Sequence, residues 1–341
     1  MKQTLQLAST ILTVTSILTA QGVVVGVVGT ATLRQSPLDP YPLLVAPGQV
    51  LTLLIGGLNT DGLPSVSAPQ TSRLPFELSG VSATIQQGNQ LRPVSLIDLR
   101  VLSGCPWNRG PPGGPCATAL VALTVQIPYD LQPQFGLDFK EIPAQISVKQ
   151  GALPGAWVDV RVLATQARFG IQCEGHLNAP SVPCGNPLVT HADGTLVNSR
   201  QPAVAGEVVS IYMLGLGKVN PQPLAGVPAP ASPLAVYPEP LDRFPLYYAF
   251  RPFYGGRPPS TAEGENAWGK IDVSFVGLSP GSIGLYQVNF TVPTPPDSLR
   301  SCSVGSSLLP LVVSGNLTLT YSDRYSSPSV GICVSPVGKS P

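Results

Sequence analysis

The chain says one phrase twice, and that repetition limits its fold more than any other feature. Residues 46–58 read Ala46-Pro-Gly-Gln-Val-Leu-Thr-Leu-Leu-Ile-Gly-Gly-Leu58, and residues 204–217 read Val204-Ala-Gly-Glu-Val-Val-Ser-Ile-Tyr-Met-Leu-Gly-Leu-Gly217. A second shared phrase follows each: Val121-Ala-Leu-Thr-Val-Gln-Ile-Pro128 and Tyr286-Gln-Val-Asn-Phe-Thr-Val-Pro293. Two phrases recurring in one order, ~160 residues apart, indicate a duplicated unit. The length of 341 residues fits two domains.

The repeated unit reads as strands and turns. Runs rich in Val, Ile, Leu, Thr and aromatics occupy residues 50–55, 81–85, 120–127, 145–148, 157–163, 208–213, 271–276, 286–292, 308–313 and 317–321, bounded by Gly, Pro, Asn or Asp. Asp193-Gly194, between residues 189–191 and 195–197, is a hairpin signal. With 35 Gly and 39 Pro, many turns are expected, and 43% hydrophobic residues are enough for a core. The expected fold class is all-β: two tandem immunoglobulin-like β-sandwiches at residues 21–168 and 169–341. Charged residues are 11% and the net charge is +1, so no basic stripe is present to neutralise phosphates and no nucleic-acid partner is expected.

Each unit exceeds the ~100 residues of a plain sandwich, so each is expected to carry an insertion. The first is the loop Cys105-Pro-Trp-Asn-Arg-Gly-Pro-Pro-Gly-Gly-Pro-Cys116, with Trp107 inside it. The second is a proline-rich stretch at residues 221–267 that contains Phe244-Pro-Leu-Tyr-Tyr-Ala-Phe-Arg-Pro-Phe-Tyr254. Tyr247, Tyr248, Phe250, Phe253 and Tyr254, with Arg243, Arg251 and Arg257, could form a binding platform. Flat rings with polar tips suit sugars or protein partners, and guanidinium groups stack and donate in pairs. The alternative is that these rings fold back to cover a sheet.

The first residues resemble an export signal. Met1-Lys2 is followed by an uncharged apolar run at residues 5–20, and cleavage after Ala20 would leave Gln21 first; Ala31 is a second candidate. A membrane anchor is the other reading, although Gly22, Gly26 and Gly29 interrupt the run, and no membrane span is expected once the signal is cleaved. Six cysteines fit an oxidising compartment, and their spacing suggests the disulfides Cys105–Cys116, Cys173–Cys184 and Cys302–Cys333. A secreted or cell-surface location follows. Residues 22–33 are strand-prone: they could pair across chains in an assembly, or form the first strand of their own domain.

The second half resembles the Solibacter-type C-terminal domain family of secreted bacterial proteins. The resemblance rests on His191-Ala-Asp-Gly-Thr-Leu-Val-Asn198, Pro202-Ala-Val-Ala-Gly-Glu-Val-Val-Ser-Ile-Tyr212, Gly215-Leu-Gly217 and Val276-Gly-Leu-Ser-Pro-Gly-Ser-Ile-Gly-Leu-Tyr-Gln-Val-Asn-Phe-Thr-Val-Pro293. The first half resembles the module that often precedes it, through Gly26-Val-Val-Gly-Thr-Ala-Thr-Leu33 and Val45-Ala-Pro-Gly-Gln-Val50. The resemblance implies immunoglobulin-like modules and no assigned activity. The cysteine-closed loops and the aromatic stretch depart from the family pattern.

Catalytic signals are weak. Gly277-Leu-Ser279-Pro-Gly281 matches a hydrolase nucleophile pattern, but that pattern needs a following helix; a turn between two strands fits better. Cys173, His176, Cys184 and His191 could ligate zinc, although oxidation of the thiols explains the cysteines. Asp138 with Glu141, and Glu263 with Glu265, read as solvated loops. No cofactor or bound metal is expected. The expected role is non-enzymatic adhesion, scaffolding or ligand binding through loops, with an extracellular glycan or protein as partner. The alternative is a secreted hydrolase or accessory protein acting on polysaccharide.

Overall fold

A computed structural model describes residues 23–28, 42–102, 119–134, 142–152, 155–170, 187–250, 268–304, 313–323 and 327–336. Among them the protein is all-β, with one short 3-10 turn at Leu241–Arg243.

Ten strands come from the first half: β1 (Val23–Val28), β2 (Leu43–Val45), β3 (Val50–Gly56), β4 (Val66–Ser67), β5 (Glu77–Leu78), β6 (Val81–Gln87), β7 (Gln90–Leu102), β8 (Leu120–Gln126), β9 (Ala144–Gln150) and β10 (Trp157–Val162). Their order is β1-β3-β8-β7-β6-β9-β10-β2, with β4 beside β7 and β5 beside β6. Strand β7 turns the corner between layers. Its residues 90–94 pair with β6 and its residues 95–102 pair with β8. A bulge between Leu96 and Asp98 lies in the second stretch, and it puts the sequence neighbours Leu96 and Ile97 both inside. The sequence pattern gives no strand here, because Pro93 interrupts the run. Alternation in β6 is regular: Val81, Ala83, Ile85 and Gln87 face in, and Ser82, Thr84 and Gln86 face out. The inward residues meet Leu51, Leu53, Ile55, Leu123, Val125, Ile146 and Val148 in one core. Strand β1 pairs antiparallel with β3 of its own chain, as expected for the first strand of its own domain.

Eleven strands follow: β11 (Arg168–Phe169), β12 (Val189–Thr190), β13 (Val208–Leu214), β14 (Leu246–Ala249), β15 (Gly269–Lys270), β16 (Val273–Leu278), β17 (Leu285–Thr291), β18 (Ser303–Val304), β19 (Val313–Ser314), β20 (Leu317–Tyr321) and β21 (Ser329–Ile332). One sheet runs β11-β13-β17-β16 with β12 also on β13, another runs β15-β14-β20-β21, and β18 pairs with β19. The two larger sheets enclose a core of Val209, Ile211, Met213, Val288, Phe290, Leu246, Leu319 and Tyr321. The hairpin at Asp193-Gly194 is present: Gly194 has φ +84°, and His191 N donates to Thr195 O at 2.9 Å. The stretch at residues 221–267 contains β14, an interior strand hydrogen-bonded to both β15 and β20. Pro245 and Pro252 beside this short run hide it from a pattern search.

Named strands up to Val162 pair only with one another, as do those from Arg168 onward. Side chains nevertheless cross between the halves. Tyr129 sits in the core of the second half, and Ile283 in that of the first. Gly226 N donates to Gln126 Oε1 at 2.6 Å, Leu74 N donates to Gly226 O at 2.8 Å, and Gln126 is fully buried. Gln166 N donates to Gly215 O at 2.8 Å, and the Thr165 hydroxyl donates to Asp323. Burial pushes the phenols of both Tyr129 and Tyr286 above their usual range. Tyr286 satisfies its hydroxyl by donating to Gly217 O.

Near the chain end Cys302 and Cys333 are disulfide-bonded, with Cα atoms 5.7 Å apart. Buried Asn316 clamps the same region: Nδ2 donates to Arg300 O and Val334 O, and Val334 N donates to Oδ1, each at 2.8 Å. Among the described residues no helix is long and apolar enough to cross a membrane.

Candidate functional site

The backbone of β14 divides the aromatic candidates between two faces. Leu246 is buried in the core, and Tyr248, two residues on, packs against that core. The Tyr248 ring lies over Gly269, where a Cβ would come within 2.3 Å of it. Phe250 meets Tyr248 edge-to-face at 5.6 Å and also packs on the core. Phe244 is buried between Tyr237 (5.5 Å) and Tyr321 (5.6 Å). Tyr248 and Phe250 therefore cover the core, as the alternative reading expected. Tyr247 points the other way. The Lys270 ammonium lies 5.8 Å from its ring centroid. Register continues the row from Lys270 through Tyr247 to Thr320 and Ser329, whose hydroxyls are 2.7 Å apart. Arg243 ends the 3-10 turn and is exposed. Arg251, Phe253, Tyr254, Arg257 and Trp107 lie outside the described residues, as do Cys105, Cys116, Cys173, Cys184 and both carboxylate pairs.

A second outward face lies on the five-stranded sheet, and the sequence reading did not single it out. Thr190, Ser210, Asn289 and Phe275 stand side by side on β12, β13, β17 and β16. The next row places Tyr212 beside Gln287 and Gln287 beside Gly277, with Val236 bridged to Gly277. The polar groups at its centre orient one another. The Ser210 hydroxyl donates to Asn289 Oδ1 at 2.9 Å, while Gln287 Nε2 donates to the same oxygen at 2.8 Å and to Ser210 Oγ at 3.3 Å. Phe275 folds over Gly277, where a Cβ would lie 2.8 Å from the ring. The signal was present in the repeat phrases, at the outward alternates of Val208–Leu214 and Leu285–Thr291.

Other sequence candidates resolve structurally. Ser279 lies in the turn between β16 and β17 and is followed by a strand. His191 Nδ1–H donates to Glu207 Oε1 at 2.5 Å, and Nε2–H donates to Gln201 O at 3.2 Å. Both ring nitrogens face acceptors, so the imidazolium alone satisfies both bonds. Burial lowers its pKa, but the bonds to Glu207 and Gln201 and the charges of Glu207 and Asp193 outweigh this and leave it raised. Among the described residues no three His, Cys, Asp or Glu side chains are grouped to hold a metal ion.

No family model matches the chain, and no curated protein matches it. Among solved structures, the tandem Ig repeats of Dlar are similar at 9% identity over 86% of this chain and 92% of that one, with a TM-score of 0.16. A likeness that low carries no argument, and the all-β assignment rests on the strands themselves.

Proposed function

We propose that the protein is an exported, non-enzymatic binding or scaffold protein. In this reading it comprises two tandem immunoglobulin-like sandwiches divided near residue 168, and its second half belongs with the Solibacter-type family. Segregated strand pairing supports the division. The signal-like N-terminus and the Cys302–Cys333 bond support export. The observation that carries the function is that a ring and two amides face away from the packed core on the five-stranded sheet: Tyr212, Gln287 and Asn289 on β13 and β17. Rigid sheets hold such groups in fixed positions without an ordering cost on binding.

The test is an array of glycans and extracellular proteins probed with the folded, monodisperse, disulfide-formed protein. Reproducible capture of a ligand that is recovered chemically unchanged is expected. A blank array, or release of cleavage products from the captured ligand, overturns the reading.

A further inference from the structure

We infer that the outward face of the five-stranded sheet, centred on Gln287 and Asn289, is a binding surface for neutral polysaccharide. The inference rests on the binding reading above and names its site and ligand class.

The duplication supplies the first line of reasoning. Aligning the repeated phrases puts Ser210 opposite Thr52, Tyr212 opposite Leu54, Gln287 opposite Ala122 and Asn289 opposite Thr124. In the first half two of these positions are closed off and two stay half-exposed. Leu54 and Ala122 are buried in a small cluster with Leu102 and Leu120, and the Thr52 and Thr124 hydroxyls bond each other at 2.9 Å. In the second half the same positions hold two amides, a hydroxyl and a phenol, all of them half-exposed. One copy fills the Leu54 and Ala122 positions with buried apolar side chains, and the other presents Tyr212 and Gln287 there, partly exposed.

Chemistry supplies the second line. The central triad is already oriented by its own hydrogen bonds, so little side-chain freedom remains to be lost on binding. Among the described residues, those bonds use Asn289 Oδ1 and part of Gln287 Nε2 and leave the Asn289 Nδ2 donors and Gln287 Oε1 for a ligand. Tyr212 and Phe275 flank them with ring surface. Apolar edges continue outward at Val208 (44% exposed) and Val236 (38% exposed). Thr190, Val208, Ser210, Tyr212, Phe275, Gly277, Gln287, Asn289 and Thr291 include no Asp, Glu, Lys, Arg or His. The next row sets Arg168 beside Leu214, with its guanidinium largely buried, so the charge lies at the margin and the central rows of amides, hydroxyls and rings match a chain of uncharged hydroxyls and C–H faces. Those central rows offer no cation to phosphate, sulfate or uronate groups.

The test is retardation of the folded protein in native gels cast with neutral soluble polysaccharides (a β-glucan, a xylan, a galactomannan), with heparin and pectin as acidic counterparts. At least one neutral polysaccharide should retard the wild type, and Tyr212→Ala should weaken that binding by about tenfold or more. Gln287→Met, which keeps the side-chain volume, should weaken it with the melting temperature retained, and Tyr247→Ala should leave it intact. Retardation unchanged in both face variants, or retardation by heparin or pectin alone, overturns the inference. So does loss of binding in Tyr247→Ala only, an outcome that leaves the binding reading standing. No retardation by any neutral polysaccharide, alongside capture of a protein on the array, also removes this inference and not that reading.

Discussion

Gly226 has φ +76°, and a Cβ there would sit 2.5 Å from Ser95 Oγ and 3.3 Å from Leu74 Cβ across the junction. Gly194 has a similar φ of +84° with nothing within 4 Å. The pair separates backbone strain from overlap. Gly194→Ala should cost about 1–2 kcal/mol, the left-handed penalty alone. Gly226→Ala should cost about 1–3 kcal/mol more, because packed neighbours must move. Urea midpoints measure both; equal losses would mean that the junction is not close-packed there. His191 gives a residue-scale pH dependence. Its folded pKa is raised above the unfolded 6.5, so its contribution is complete below the unfolded value and is lost as pH rises through the folded one. The melting-temperature gap between wild type and His191→Gln should be widest below the unfolded pKa of about 6.5 and narrow as pH rises above it. A gap that widens with rising pH contradicts the assigned imidazolium.

Strand β14 carries the element-scale test. Tyr248 covers Gly269 and the core, whereas Tyr247 faces Lys270. Tyr248→Ala should therefore destabilise by about 2–3 kcal/mol. Tyr247→Ala should cost no more than about 1 kcal/mol. Denaturant unfolding of the two variants decides, and equal costs would mean that the alternation is misassigned. Two of the strands that pattern missed, β7 and β14, share a cause. Proline breaks the local run, but tertiary pairing carries the strand past it, with Pro93 opposite Thr84. Elements with clean alternation were legible almost to the residue: β20 spans Leu317–Tyr321 as expected, and β3 exceeds its expected end by one position. The amide face was legible in principle, since its polar residues alternate with buried Val209, Ile211, Val288 and Phe290. Its meaning required the register that sets Ser210 beside Asn289.

At the scale of the molecule, the sequence suggested a repeat and nothing of how the two halves of the chain meet. The junction is built from Gln126, Tyr129, Gly226 and Gly284, residues up to 158 apart that share no local pattern; Gly284 would strike Val50 at 2.5 Å if it carried a Cβ. Gln126 Oε1 accepts from Gly226, and its Nε2 donates to Gly48 O at 3.4 Å. Removing this side chain strands buried donors and acceptors on both halves, at a cost of about 1–3 kcal/mol. Through this junction the strands of the two halves are fixed to each other, so that the outward ring and amides keep set positions. Scanning calorimetry of the wild type and Gln126→Ala tests this most directly. A single transition is predicted for the wild type, with calorimetric and van't Hoff enthalpies in agreement, separating into two in the variant. Two independent transitions already present in the wild type, and unmoved by the substitution, would contradict it.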